Sequence, residues 1–152
     1  MEPCSKIKFI YIGTEYSVAR EVVVERIASI LSTIIELPKN IEVEFRSLPE
    51  SVYGETLIDN RYKNRIRLQE SLSPKEVIVP LIHELLHLNQ TYTGKLSGRR
   101  DGTFLWNKKV YQSPKTPTIQ EWSKLPWEID VAEREVQILA EVLNKAGVFT
   151  NT

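Results

Sequence analysis

The stretch SLSPKEVIVPLIHELLHLNQ, residues 71–90, constrains the chain more than any other. Ser73, Pro74 and Glu76 form a helix start: a capping hydroxyl, a proline where no N–H is needed, and a glutamate three residues after the cap. The pattern predicts a helix running to about Gln90, bent at Pro80, whose ring removes one backbone hydrogen bond. His83 and His87, the only two histidines in the chain, stand four apart within it. Residues i and i+4 of a helix lie one turn apart on one face, about 40° from each other at roughly 100° per residue. Glu84 falls about 100° round from His83, at the edge of that face. Leu81, Leu85 and Leu88 lie near the opposite side, which can therefore be the buried one.

That spacing suits a particular chemistry. Two imidazoles on one turn can grip one ion, and a carboxylate between them can reach a water on it. A bound Zn²⁺ would bring the pKa of that water to about 7 and polarise a carbonyl. Glu84 would then serve as general base and acid, taking the water's proton and passing it to the leaving nitrogen. The competing reading is a helix that carries two packed or surface histidines and no metal.

The chain has 152 residues, which suits one domain spanning residues 1–152 with a modest core. Lys plus Arg equals Asp plus Glu at 20 each, so charge gives no case for nucleic acid or an anionic membrane as partner. Cys4 is alone, which rules out an intramolecular disulfide and a cysteine zinc cage. No apolar run approaches the roughly 20 residues of a membrane span. The opening MEPCSKIKFIYIG carries an acid at position 2 and a short apolar run, unlike a signal peptide. The expected compartment is the cytoplasm.

Along the rest of the chain, KIKFIYIG (6–13) and NIEVEFRSL (40–48) read as strands, the second by alternation of Ile41, Val43 and Phe45. Residues 16–37 read as a helix ending before Pro38. Residues 53–68 read as two short strands around a polar turn near Asp59–Asn64. DGTFLWNKKVYQ reads as a hairpin, SPKTPT as a loop, and the segment from Pro126 to Gly147 as a closing helix. The expected class is α+β, in the order β-α-β-β-β-α-hairpin-α.

A zinc site needs a third protein ligand. With no further histidine and Cys4 remote, it must be Asp or Glu. On the last helix Val131, Ala132, Glu135 and Leu139 lie within about 60° of Glu128, whereas Asp130 and Glu133 point more than about 130° away. The Glu128 side is thus apolar and small, suited to packing against the histidine helix. A carboxylate there calls for a counter-charge. Glu128 also stands in the first turn beside a loop, although the helix dipole alone favours acids there. Glu135 is the reserve, as ligand or as a partner to a ligand.

HELLH, followed some forty residues on by a helix bearing a glutamate, resembles the gluzincin branch of the zincin metallopeptidases. PLIHELLHLNQ, GTFLWNKKVYQ and LPWEIDVAERE together are closer still to small single-domain minigluzincin-like zinc peptidases of archaea, phages and plasmids, over residues 53–146. The resemblance implies zinc on His83, His87 and Glu128 with Glu84 as the base. It implies a minimal zincin core: a small twisted, mostly antiparallel sheet, an N-terminal helix, an active-site helix and a C-terminal helix bringing Glu128. It also implies a peptide or protein substrate added as a strand at a sheet edge, here Tyr53–Ile58. Larger gluzincins often carry an aspartate four residues after the glutamate ligand to steady the first histidine. This chain has Ala132 there, which puts catalytic efficiency in question more than metal binding. Tyr92, Arg99 and Tyr111 are oxyanion candidates by residue type alone.

Two functions follow. One is a zinc-dependent endopeptidase, with residues 91–126 either as a flap over the site or as a plain connecting loop. The alternative is a non-catalytic or latent zinc-binding protein with a regulatory or interaction role in a mobile element. Glu84 between the histidines favours the first, since a structural site has no use for a base there.

Overall fold

The computed structural model describes residues 7–13, 17–58, 64–112 and 119–147. The Asp59–Asn64 turn, apart from Asn64, the SPKTPT loop and Cys4 lie outside them. The alternating and β-branched segments form strands β1 (Lys8–Ile12), β2 (Asn40–Arg46), β3 (Gly54–Thr56) and β4 (Arg65–Gln69). They build one sheet in the order β1-β2-β4-β3. The β1–β2 and β2–β4 pairings are parallel and β3–β4 is antiparallel. The expectation of a mostly antiparallel sheet is thus corrected here. Helix α1 (Val18–Leu31) carries the chain from β1 back to the start of β2, and such a crossover makes neighbouring strands parallel.

Alternation sorts the sheet's two faces. Ile41, Val43, Phe45, Ile66 and Leu68 are buried against the helices. The other face carries cross-strand ion pairs, Glu42–Arg65 at 2.9 Å and Glu44–Arg67 at 2.8 Å, with Arg67 also reaching Glu55 at 3.2 Å. Helix α1 stops short of the predicted residue 37. The Ser32 and Thr33 hydroxyls each bond a carbonyl three residues back, at 2.6 Å, competing with the backbone pattern.

Helix α2 (Ile78–Tyr92) carries the two histidines. The predicted capping box forms, with Ser73 N–H donating to Glu76 Oε1 at 3.0 Å and Glu76 N–H to Ser73 Oγ at 3.2 Å. Residues 74–77 nevertheless make turns, and regular helix begins only at Ile78. Pro80 therefore sits in the first turn, where its missing N–H has no helical partner to lose. The reading of a bend at Pro80 inside a longer helix is corrected accordingly. From Leu81 to Gln90 every residue but His83 is buried, so α2 runs through the core.

The segment after α2 is not a plain loop. It folds into β5 (Leu96–Gly98), β6 (Thr103–Trp106) and β7 (Lys109–Gln112), an antiparallel sheet, and a short helix α3 (Ile119–Ser123). The predicted hairpin is β6–β7, turning at Asn107 and Lys108 with positive φ of 48° and 69°. β5 and α3 escaped the sequence reading because each is too short to show a period. Helix α4 (Pro126–Ala146) closes the chain, with Pro126 at its start and Gly147 as a left-handed cap. Helices α1, α2 and α4 contact one another, and Val24, Ile27, Leu31, Leu81, Leu85, Val131 and Val142 share one core with the sheet. A second small cluster of Leu96, Leu125 and Trp127 joins the three-stranded sheet to the start of α4. No described helix is long and apolar enough to cross a membrane.

Candidate metal centre

Trp127 fixes where α4 begins. Its ring packs against Phe104 and Tyr111, with centroids 5.4 and 6.1 Å away. Gln90 of α2 donates to the Trp127 carbonyl at 2.9 Å. Held by both, the first turn of α4 presents Glu128 to α2. Glu128 Oε1 lies 3.4 Å from His83 Nε2, and Oε2 lies 3.0 Å from His87 Nε2. One donor atom from each of His83, His87 and Glu128 falls within 4.8 Å of the others, an arrangement able to hold a metal ion.

The partners of the rings show that this donor set suits a cation. His83 Nδ1 faces Glu135 Oε2 at 3.2 Å, an acceptor only, so the proton belongs on Nδ1. His87 Nδ1 faces Gln90 Oε1 at 2.8 Å. The Gln90 amide cannot be turned round, because its Nε2 already donates to the Trp127 carbonyl and, at 2.9 Å, to Asp130 Oδ2. Neutral rings therefore aim both Nε2 lone pairs at the Glu128 carboxylate. Lone pairs facing one another at this range require a positive charge between them, whether protons or a metal. A metal would take one donor atom from each residue, and such atoms of His83, His87 and Glu128 lie within 4.8 Å of one another.

The electrostatics agree. Burial pushes the His83 imidazole down, but Glu128, Glu84 and Glu135 outweigh it and raise it to about 9. His87 is raised for the same reason, burial being overcome chiefly by Glu128. Burial would raise the Glu128 carboxyl, yet its hydrogen bonds to His83 and His87 hold it down at about 2.

Glu84 is only 5% exposed. Burial raises its carboxyl above the ordinary range, against the pull of His87, His83 and Thr56. The Thr56 hydroxyl lies 2.8 Å from Glu84 Oε1 and 3.0 Å from the Glu84 carbonyl, tying the helix to strand β3. Gly54 makes the approach possible, since a Cβ there would stand 2.9 Å from Glu84 Cγ. Beside these groups a cavity of about 1000 Å³ opens, floored by His83, Glu84, His87 and Glu128 and walled by β3 and the β5–β6 turn.

Tertiary placement revises several expectations. Glu135, expected as a ligand or as a partner to one, takes the second place: it is not among the converging donors and bonds His83. Ala132, expected on the packed side, is exposed, because the buried stripe runs through Trp127, Glu128, Val131, Ile138 and Val142. Glu135, three residues beyond Ala132, is the acid that contacts His83 Nδ1. Asp130, expected to point away, accepts from Gln90. Of the oxyanion candidates, Tyr92 is half exposed and Tyr111 packs on Trp127, while Arg99 lines the cavity. Gln90, Thr56 and Gly54 were missed. Gln90 stands three residues after His87 on the same helical face, a signal the sequence does carry. Thr56 and Gly54 have none, since only the folded sheet brings them to Glu84. No protein-family model, no curated protein and no solved structure matches this chain.

Proposed function

We propose that this chain is a zinc-dependent endopeptidase. The observation that carries the reading is a buried carboxylate, Glu84, in the same helical turn as two imidazoles that converge with Glu128. Two imidazoles and one carboxylate, beside a cavity, make the donor set of a catalytic zinc with one position left open. Zinc held by His83, His87 and Glu128 would acidify a water and polarise a peptide carbonyl. Glu84 takes the proton of the attacking water and returns it to the leaving nitrogen, with Thr56 fixing the rotation of its carboxylate. Glu135 and Gln90 keep the two rings in the tautomer that leaves Nε2 free.

The substrate lies along β3. Tyr53 O and Leu57 N–H bond β4 residues Gln69 and Arg65. Backbone groups alternate along a strand, so those of Gly54 and Thr56 point to the open edge. An extended peptide adds there by main-chain hydrogen bonds, directly above Glu84. The test is metal content and peptide cleavage for the wild type and Glu84→Gln. The reading requires one zinc per chain in both and cleavage only in the wild type. Equal cleavage by Glu84→Gln refutes it, and zinc uptake with no cleavage by either protein assigns the metal a structural role.

A further inference from the structure

A second hollow of about 550 Å³ adjoins the first, sharing Gly54, Glu55, His83, Glu84 and Trp122 with it. The two make one cleft along β3 with the candidate metal group at its middle, and its ends differ in charge. The second hollow lies beside Val52, Tyr53, Val79 and Pro80; Glu135 lines this hollow only, whereas Glu55, paired with Arg67, lines both. The first ends at Arg99 and Arg100, both exposed on the β5–β6 turn.

That turn is fixed in place. Arg99 N–H donates to the Thr103 carbonyl at 2.9 Å, and Gly102 N–H to the Arg99 carbonyl at 3.1 Å. Asp101, the one acid within the turn, is turned back onto Thr103, accepting from its N–H at 3.0 Å and its hydroxyl at 2.6 Å. Gly98 lets β5 close on the end of β3, since a Cβ there would meet the Ile58 carbonyl at 3.2 Å. Among the described residues, neither Arg99 nor Arg100 has a carboxylate within ion-pair distance; Asp101 attracts Arg99 from beyond that range. Two arginines thus line one hollow of a cleft whose other hollow is largely apolar and carries Glu135.

We infer that Arg99 and Arg100 select an acidic side chain on one side of the scissile bond, so that the substrates are extended peptides with Glu or Asp on that side only. This rests on the peptidase reading and deepens it. An exposed ion pair is worth about threefold in binding, so the two together give about tenfold.

The test uses quenched peptides of about eight residues with one Glu, Lys or Gln placed before or after the cleavage point. Zinc-loaded wild type and Arg99→Glu/Arg100→Glu are compared by kcat/KM. Binding of the same peptides to zinc-loaded Glu84→Gln, with and without the arginine swap, is read by fluorescence anisotropy. The expected result is about a tenfold preference for Glu over Lys on one side alone, weaker at high salt. The double swap should invert the ratio between the Glu and Lys peptides, each taken relative to the Gln peptide with the same variant. Cleavage without charge preference, or a preference that survives the swap, overturns the assignment and leaves the peptidase reading standing. No cleavage, with the charge preference intact in the anisotropy data, removes the peptidase reading and keeps the arginine site. No cleavage and no preference in binding overturns both.

Discussion

Replacing Gly54 by alanine probes the contact between β3 and the candidate base without touching His83, His87 or Glu128. The new methyl carbon would stand 2.9 Å from Glu84 Cγ, 3.2 Å from Glu84 Oε2 and 3.2 Å from the Arg67 carbonyl. Ordinary contact begins at 3.4 Å, so the first pair must separate by about 0.5 Å. Arg67 belongs to β4, which is hydrogen-bonded on both sides and cannot retreat readily. Cγ is the near end of the Glu84 side chain, so the carboxylate swings with it and away from Thr56. Overpacking of this kind costs about 1–3 kcal/mol, which for a chain of this length lowers the melting temperature by roughly 2–12 °C. A misplacement of catalytic groups on the 1 Å scale costs about 10²-fold in turnover. Gly54→Ala should therefore bind zinc stoichiometrically, melt a few degrees lower, and cleave peptide about 10²-fold more slowly, chiefly through kcat. Full turnover at an unchanged melting temperature would refute the argument, because it would mean that β3 does not press on Glu84 as described. Loss of zinc would refute it too, by showing that the strain reaches the histidines.

Gln90→Leu fills the same space without its hydrogen bonds, leaving the His87 Nδ1 proton without its acceptor and cutting the ties to the Trp127 carbonyl and Asp130. It should cost about 1–3 kcal/mol of stability by denaturant titration and weaken zinc affinity about 10–100-fold by competition with a chelator. The pH dependence follows from the raised imidazoles. A pKa raised in the fold above the ordinary 6.5 adds stability that is complete below 6.5 and lost as pH rises through about 9, the folded value for His83. The chelator-treated protein should therefore melt at falling temperature from pH 6.5 to 9. The zinc-loaded protein should hold steady, so the gap between the two melting curves widens across that window. Glu128 acts in the opposite sense: its contribution is present above 4.5 and fades as pH drops towards about 2.

Much of the helical framework was legible because its signals are local. Pro126 and Gly147 bracket α4, the Ser73–Glu76 box forms, and the β6–β7 hairpin turns where its residues indicated. Boundaries failed where local groups compete on nearly equal terms, as at the hydroxyls of Ser32 and Thr33. Strand direction was not legible, because the alternation of Ile41, Val43 and Phe45 is the same whether the neighbour runs parallel or antiparallel. On α4, ideal angles around Glu128 placed Ala132 inside and Asp130 outside, whereas the fold leaves Ala132 exposed and brings the partly exposed Asp130 to Gln90.

By itself the sequence determined that His83 and His87 share one face with Glu84 beside them, since a helix fixes the relation of residues four apart without help from the rest of the chain. It also narrowed the third donor to an acid, with Glu128 first and Glu135 in reserve. Only the tertiary structure decided between those two, because that depends on how Trp127 seats α4 against the second sheet. It likewise decided which groups hold the rings and which strand covers the base. Those contacts join residues dozens of positions apart, and no periodicity along a chain encodes a distance across a fold.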